Sequence, residues 1–239
     1  MPEGIYSAAA GMAAQQTRLD ALANDIANVN TTGYKQQRLG FRDLVYQAEQ
    51  GVPIGAGSAP VDVGRSFAQG GLTETGDPLS VAIVGQGFFQ VRRADGSVAL
   101  TRDGRFGLDA GGAIVTSTGE RLVPPLTVPK GTDASAISIA PDGAVSVGAV
   151  SVGRLSIVDV PSPGSLAPAG DNLFAPTAAS GAPKAVTGTT VQQGALEGSN
   201  VDLASAMVDM IDAQRGYELA SSAIKTQDKL LDDANQLVR

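Results

Sequence analysis

The chain has 239 residues, 43% of them hydrophobic, a net charge of −7, and neither Cys nor His. That excludes disulfides, thiol chemistry and His-based nucleophile arrangements, and it removes most zinc sites. An acidic chain with no basic cluster does not suit a nucleic-acid groove, and no apolar run is long enough to span a bilayer.

Met1-Pro-Glu-Gly-Ile5 has no basic region leading into an apolar core, so it is not read as a cleavable secretion signal. From Glu3 to about Asn30 apolar residues recur every seven positions at Ile5, Met12, Leu19 and Ile26. Ala8, Gln15, Leu22 and Val29 follow three residues after each. This spacing predicts a long helix with a narrow buried stripe. Pro2 and Glu3 suit its first turn. Gly33, able to take a left-handed conformation, reads as its stop.

Tyr34 to Gln47 keeps scattered apolar residues, as a short helix or an extended arm. Gly51 to Pro60 has linker composition. From Leu72 to Gly194 the period changes to two. Candidate strands cover 79–84, 88–91, 98–101, 105–108, 113–116, 137–139, 145–147, 150–152 and 155–158. Asp-Gly pairs at Asp95, Asp103 and Asp142 mark turns between them. Short strands with frequent turns indicate an antiparallel barrel or sandwich. Residues 161–194 read as a loop-rich return.

Ser199 or Asn200 is the expected N-cap of a second long helix. Counting by sevens gives Leu203, Met210, Tyr217, Ile224, Leu231 and Val238, with Ala206, Ala213, Ala220, Gln227 and Ala234 three residues later. A helix of that length would run roughly 50 Å. Read alone, both ends could be ordinary amphipathic helices lying on the chain's own core. Narrow Ala-lined stripes suit close helix–helix approach better than a broad fit to a sheet.

Catalytic constellations are not evident. Asp95, Asp103, Asp109 and Asp142 sit at predicted turns, where a carboxylate has a backbone role. Gly85-Gln-Gly87 leads into another strand and not into a helix N-terminus, so it is not a phosphate loop. Asp228, Asp232 and Asp233 share their region with Lys225 and Lys229 and read as a solvated face. No catalytic, cofactor or metal residue is assigned.

Ala23-Asn-Asp-Ile-Ala-Asn28-Val-Asn-Thr-Thr-Gly33-Tyr-Lys35 closely resembles the N-terminal signature of bacterial flagellar rod and hook proteins. Gln214-Arg-Gly-Tyr217 resembles their C-terminal signature. Val84 to Val91 and Thr101 to Phe106 resemble the start of their central domain. The motif positions carried over are Asn24, Asn28, Gly33, Lys35, Gln214, Arg215 and Tyr217. Length and the two ends are most like the distal rod branch. The short stretch from Tyr46 to Arg65 keeps the neighbouring rod branch as the alternative.

The resemblance implies an α+β fold, with terminal heptad helices in a coiled-coil layer and a β domain facing outward. The division expected is 1–33 with 199–239 as helical domain, 34–71 as arm or linker, and 72–194 as β domain. The seam residues expected to carry assembly are Ile5, Met12, Leu19, Leu22, Ile26, Val29, Leu203, Met210, Tyr217, Ile224, Leu231 and Val238. The partners implied are other copies of the chain, adjacent rod and hook proteins, and the flagellar type III export apparatus. The implied place is the flagellar basal body, outside the cytoplasmic membrane. Two other readings are a self-contained secreted binding module and a glycan hydrolase working through paired carboxylates. No convincing pair of carboxylates outside turns is present for the latter.

Overall fold

The computed structural model describes residues 3–47, 53–186 and 188–237. The chain divides into two compact units. One holds both ends and residues 37–63. The other holds residues 28–36 and 64–201.

In the first unit, α1 (Glu3–Ala27) and α2 (Leu203–Leu237) pack along each other. Arg18 pairs with Asp209 at 2.8 Å, while Gln15 lies against Gly216. The numbers rise on one helix as they fall on the other, so the pair is antiparallel. The N-cap of α2 is Asp202, not Ser199 or Asn200. Its carboxylate accepts from the Ala204 N–H and the Ser205 hydroxyl, and its carbonyl accepts from the Ala206 N–H. Those bonds hold the Asp202 carboxyl below the usual carboxylate range.

Strands β1 (Gln37–Gln47) and β2 (Pro53–Arg65) pair with each other, so residues 37–47 are strand and not helix. The Gly and Pro of β2 that read as linker let the backbone come close to α1. A side chain at Gly57 would meet the Ser7 carbonyl at 2.8 Å and the Ala10 methyl at 2.9 Å.

The second unit is antiparallel β structure throughout its pairings. Its first strands are β3 (Leu72–Glu74), β4 (Val81–Val84), β5 (Phe88–Arg92), β6 (Val98–Thr101), β7 (Phe106–Leu108), β8 (Ile114–Thr116) and β9 (Arg121–Leu122). There follow β10 (Ile137–Ile139), β11 (Ala144–Val147), β12 (Val150–Arg154), β13 (Ile157–Asp159), β14 (Ala167–Pro168) and β15 (Leu173–Ala175). The last are β16 (Lys184–Ala185), β17 (Thr190–Gln193) and β18 (Ala195–Glu197).

The main path runs β14-β15-β6-β5-β9-β8-β7, with β13 joining β5 to β16. β10-β11-β12, β17-β4 and β18-β3 form separate small sheets. Among the described residues this is a set of open sheets and not the closed barrel that the strand spacing allowed.

The alternation of β5 explains its place at the centre. Successive side chains point to opposite faces, and both faces are covered. Phe89 enters a core with Val81, Ile83, Val91 and Val145. Phe88 enters a second core with Leu100, Val158 and Phe174, where Phe67 meets Phe88 and Phe174 edge to face.

Candidate assembly interface

The helix pair distributes the expected seam unevenly. Ala206 and Ala213 of α2 are buried, and Met210 and Ile224 are half-buried. Leu203 and Tyr217 are instead more exposed, at 41% and 38%. The contact with α1 therefore runs along the small residues, which allow the two backbones to approach. Gly216 shows how close they come: an added Cβ there would sit 3.1 Å from the Gln15 side chain. On α1, Leu22 is buried, and Ile5, Met12, Leu19 and Ile26 are half-buried. Val29 lies in the turn after α1 and so is not part of the helical stripe. Val238 and the side chain of Leu231 lie outside the described residues.

Two features of α2 find no use among the described residues of the chain. It is 35 residues long against 25 for α1. The register set by Arg18–Asp209 and Gln15–Gly216 brings the start of α1 opposite the region of Lys225. From there α2 continues for about another 15 Å. Secondly, Met207, Val208 and Ile211 lie three and four residues apart on one face and are exposed at 54%, 61% and 49%. Further along that face come Gln214 and Arg215 of the C-terminal signature, both exposed. Among the described residues, the side chains of Gln214, Arg215 and Tyr217 form no hydrogen bond or ion pair.

The N-terminal signature is used differently. Asn24 is exposed on α1, and Asn28 accepts from the Thr31 hydroxyl. Gly33 and Lys35 are buried in the β unit. Gly33 has φ +69°, and an added Cβ would lie 2.6 Å from the Asp103 backbone nitrogen, so glycine is required on two counts. Its N–H donates to the Glu197 carbonyl at 2.8 Å. The Lys35 ammonium donates to Glu197 Oε1 at 2.6 Å and to the Ala68 carbonyl at 2.8 Å. Arg102 reaches Glu197 Oε2 at 3.0 Å and the Gly85 carbonyl at 2.8 Å, with its guanidinium 5.5 Å over the Phe88 ring. The Gly70 N–H also donates to Glu197 Oε1. Asn200 completes the knot: it accepts from the Gln36 N–H and donates to the Ser66 carbonyl.

Arg102 and Glu197 were not singled out by sequence reasoning, and Asn200 was read only as an N-cap candidate. Arg102 sits within a family-like motif, but nothing local distinguishes Glu197 from the other acidic residues. Burial draws the Lys35 ammonium below the ordinary lysine range, and the Glu197 bond and charge offset this only in part. A lowered folded pKa means that the unfolded chain binds more protons at alkaline pH. Stability is therefore expected to rise as pH climbs toward the ordinary lysine value of 10.5. The slope would be at most about 1.4 kcal/mol per pH unit. Denaturation of Lys35→Met across that range checks this, because its contribution to the slope should vanish.

The four turn carboxylates are committed to backbone. Asp95, Asp103, Asp109 and Asp142 each accept an N–H from the residue two positions on. Among the described residues no group of His, Cys, Asp and Glu is placed to hold a metal ion. No described helix is long and apolar enough to cross a membrane.

Three family models match the chain. The flagella basal body rod protein model covers residues 5–35, and the flagellar hook protein FlgE/F/G D1 domain covers 82–147. The flagellar basal body rod FlgEFG protein C-terminal model covers 192–237. The chain is 44% identical to the flagellar basal-body rod protein FlgG of Agrobacterium fabrum, over 93% of this chain and 94% of the relative. It is 38% identical to FlgG of Borreliella burgdorferi over the whole of both chains. It is also 35% identical to the basal-body rod protein FlgF of Caulobacter vibrioides, over all of this chain and 96% of the relative. The matches span both helices, the knot and the β unit, and the chain belongs to the flagellar basal-body rod proteins, structural components of the flagellum.

Proposed function

We propose that this chain, a rod subunit of the distal type, polymerises by packing its terminal helices against those of neighbouring copies in a coiled-coil layer. The observation that carries the reading is the exposed apolar face of α2 at Met207, Val208 and Ile211. Apolar side chains grouped on one helix face, beside signature side chains with no hydrogen bond or ion pair among the described residues, are what a helix with an outside partner presents. A rod also needs a heterologous contact that repeats without closing, and the overhang of α2 supplies surface that α1 does not cover. In this reading residues 1–33 and 199–239 form the assembly layer. Adjacent rod and hook proteins continue the same packing at each end, and the subunit reaches its place through the flagellar type III export apparatus.

The chain has no Cys, which makes a labelling test direct. A single Val208→Cys thiol, at a side chain that is 61% exposed, is expected to react freely in the isolated subunit. In rods purified with their basal bodies the same thiol is expected to react at least about tenfold more slowly. Equal labelling in the two states would overturn the assignment of this face.

A further inference from the structure

Lys35, Arg102 and Glu197 form a buried set whose charges do not balance. Two cations share one carboxylate, and all three side chains are at most 2% exposed. Among the described residues, neither Lys35 nor Arg102 forms any other ion pair. Asp103, whose backbone lies against Gly33, spends its carboxylate on the Arg105 N–H. Arg102 has a place of its own through the Gly85 carbonyl and the Phe88 ring. Among the described residues, the Lys35 ammonium has only the Ala68 carbonyl besides Glu197.

These contacts have an order built into them. With Glu197 in position, its pairing with Arg102 is neutral, and Lys35 can enter against a carboxylate that still has acceptor capacity. With Glu197 absent, seating Lys35 would bury a second cation beside Arg102 with no counter-ion, which is strongly unfavourable. The same residue also receives the Gly33 N–H on its main chain, so one residue closes both the charge and the backbone of the signature. Lys35 and Glu197 are 162 residues apart, and Glu197 ends the strand β18, five residues short of the N-cap of α2.

We propose that Glu197 licenses the docking of the N-terminal signature, so that residues 31–36 seat on the β unit only once the segment leading into α2 is in place. The device delays ordering of the N-terminal end until nearly the whole chain is present. Its consequence for a subunit that must not associate early rests on the rod-subunit reading above. The docking itself does not.

The test uses the free full-length subunit, where no polymer is involved, so its failure is separable from failure of the assembly interface. Lysines are acetylated with an N-hydroxysuccinimide ester and read by mass spectrometry, with the exposed Lys130, Lys184, Lys225 and Lys229 as references. Backbone hydrogen exchange is followed in parallel. In the wild type, Lys35 should react about a hundredfold more slowly than the references. Glu197→Gln should bring it within about tenfold of them and speed exchange at Gly33 to Gln36, while β5 and β6 stay protected. Lys35→Met combined with Glu197→Gln should restore protection at residues 33–36, because the surplus cation is gone. Three results would each overturn the proposal. Lys35 could stay shielded in Glu197→Gln, β5 and β6 could lose protection together with residues 33–36, or the double variant could fail to restore it.

Discussion

Ile211→Glu should abolish incorporation of the subunit into rods while leaving the unfolding of the free subunit unchanged. Ile211 is half open to solvent on α2, so a carboxylate there removes little intramolecular packing. Such surface changes usually fall within about 0.5 kcal/mol of neutral. In a rod the same position would lie in a contact repeated by every subunit, where an unpaired carboxylate loses its water. That penalty is about 2 kcal/mol or more per contact, and a growing polymer meets it at each addition. Met210→Glu separates the two helix faces. Met210 is half-buried toward α1, so its replacement should lower the stability of the free subunit as well as assembly. Calorimetry on the purified chains, with electron microscopy of basal bodies from cells carrying each variant, reads both effects. Normal rods with Ile211→Glu would remove this face from the interface.

Both long helices were legible because a seven-residue repeat survives any change of tertiary context. Which stripe faces inward was less legible. Counting from Leu203 gave the large residues the central role, yet the intramolecular contact centres on Ala206, Ala213 and Gly216. Hydropathy rewards large side chains, whereas two helices in close approach reward small ones. Val29 continued the count arithmetically, but Asn28 had already begun the turn that leads to Gly33. The β1–β2 hairpin was hidden for another reason. Gly and Pro over 51–60 look like a linker until Gly57 is seen against Ser7 and Ala10, where absence of a side chain is the requirement. The strands from β4 to β13, β9 apart, followed their alternation closely, whereas β14 to β17 lie in the stretch 161–194 that read as a loop-rich return. Their grouping into open sheets depends on pairings such as β18 with β3, which no local pattern encodes. The charge knot was the least legible feature, since its three side chains come from three separate parts of the chain.

Gly104→Ala should destabilise the β unit far more than Gly96→Ala or Gly107→Ala, two other glycine-to-alanine changes within it. The backbone at Gly104 is not left-handed, so conformation is not the obstacle. Space is. A Cβ at this position would lie 1.6 Å from the Val81 carbonyl oxygen and 2.7 Å from its carbon, both backbone atoms of a fully buried residue. Relief requires β4 and the 101–105 turn to separate. That movement strains the Val81 N–H to Gly104 carbonyl bond at 3.0 Å and disturbs the Phe89 ring, whose edge would be 3.4 Å from the new methyl. Overpacking with a compromised buried hydrogen bond sets the loss at about 3–5 kcal/mol. Two other positions calibrate the expectation. Gly96 has φ +83° and open space around it, so Gly96→Ala should lose only the conformational part, about 1–2 kcal/mol. Gly107 has neither a positive φ nor a neighbour within 4 Å, and Gly107→Ala should be neutral or stabilising by about 0.5 kcal/mol. Denaturant unfolding of the three variants should rank them in that order. A Gly104→Ala loss no larger than that of Gly96→Ala would mean that β4 shifts away from the turn without disturbing the core behind it.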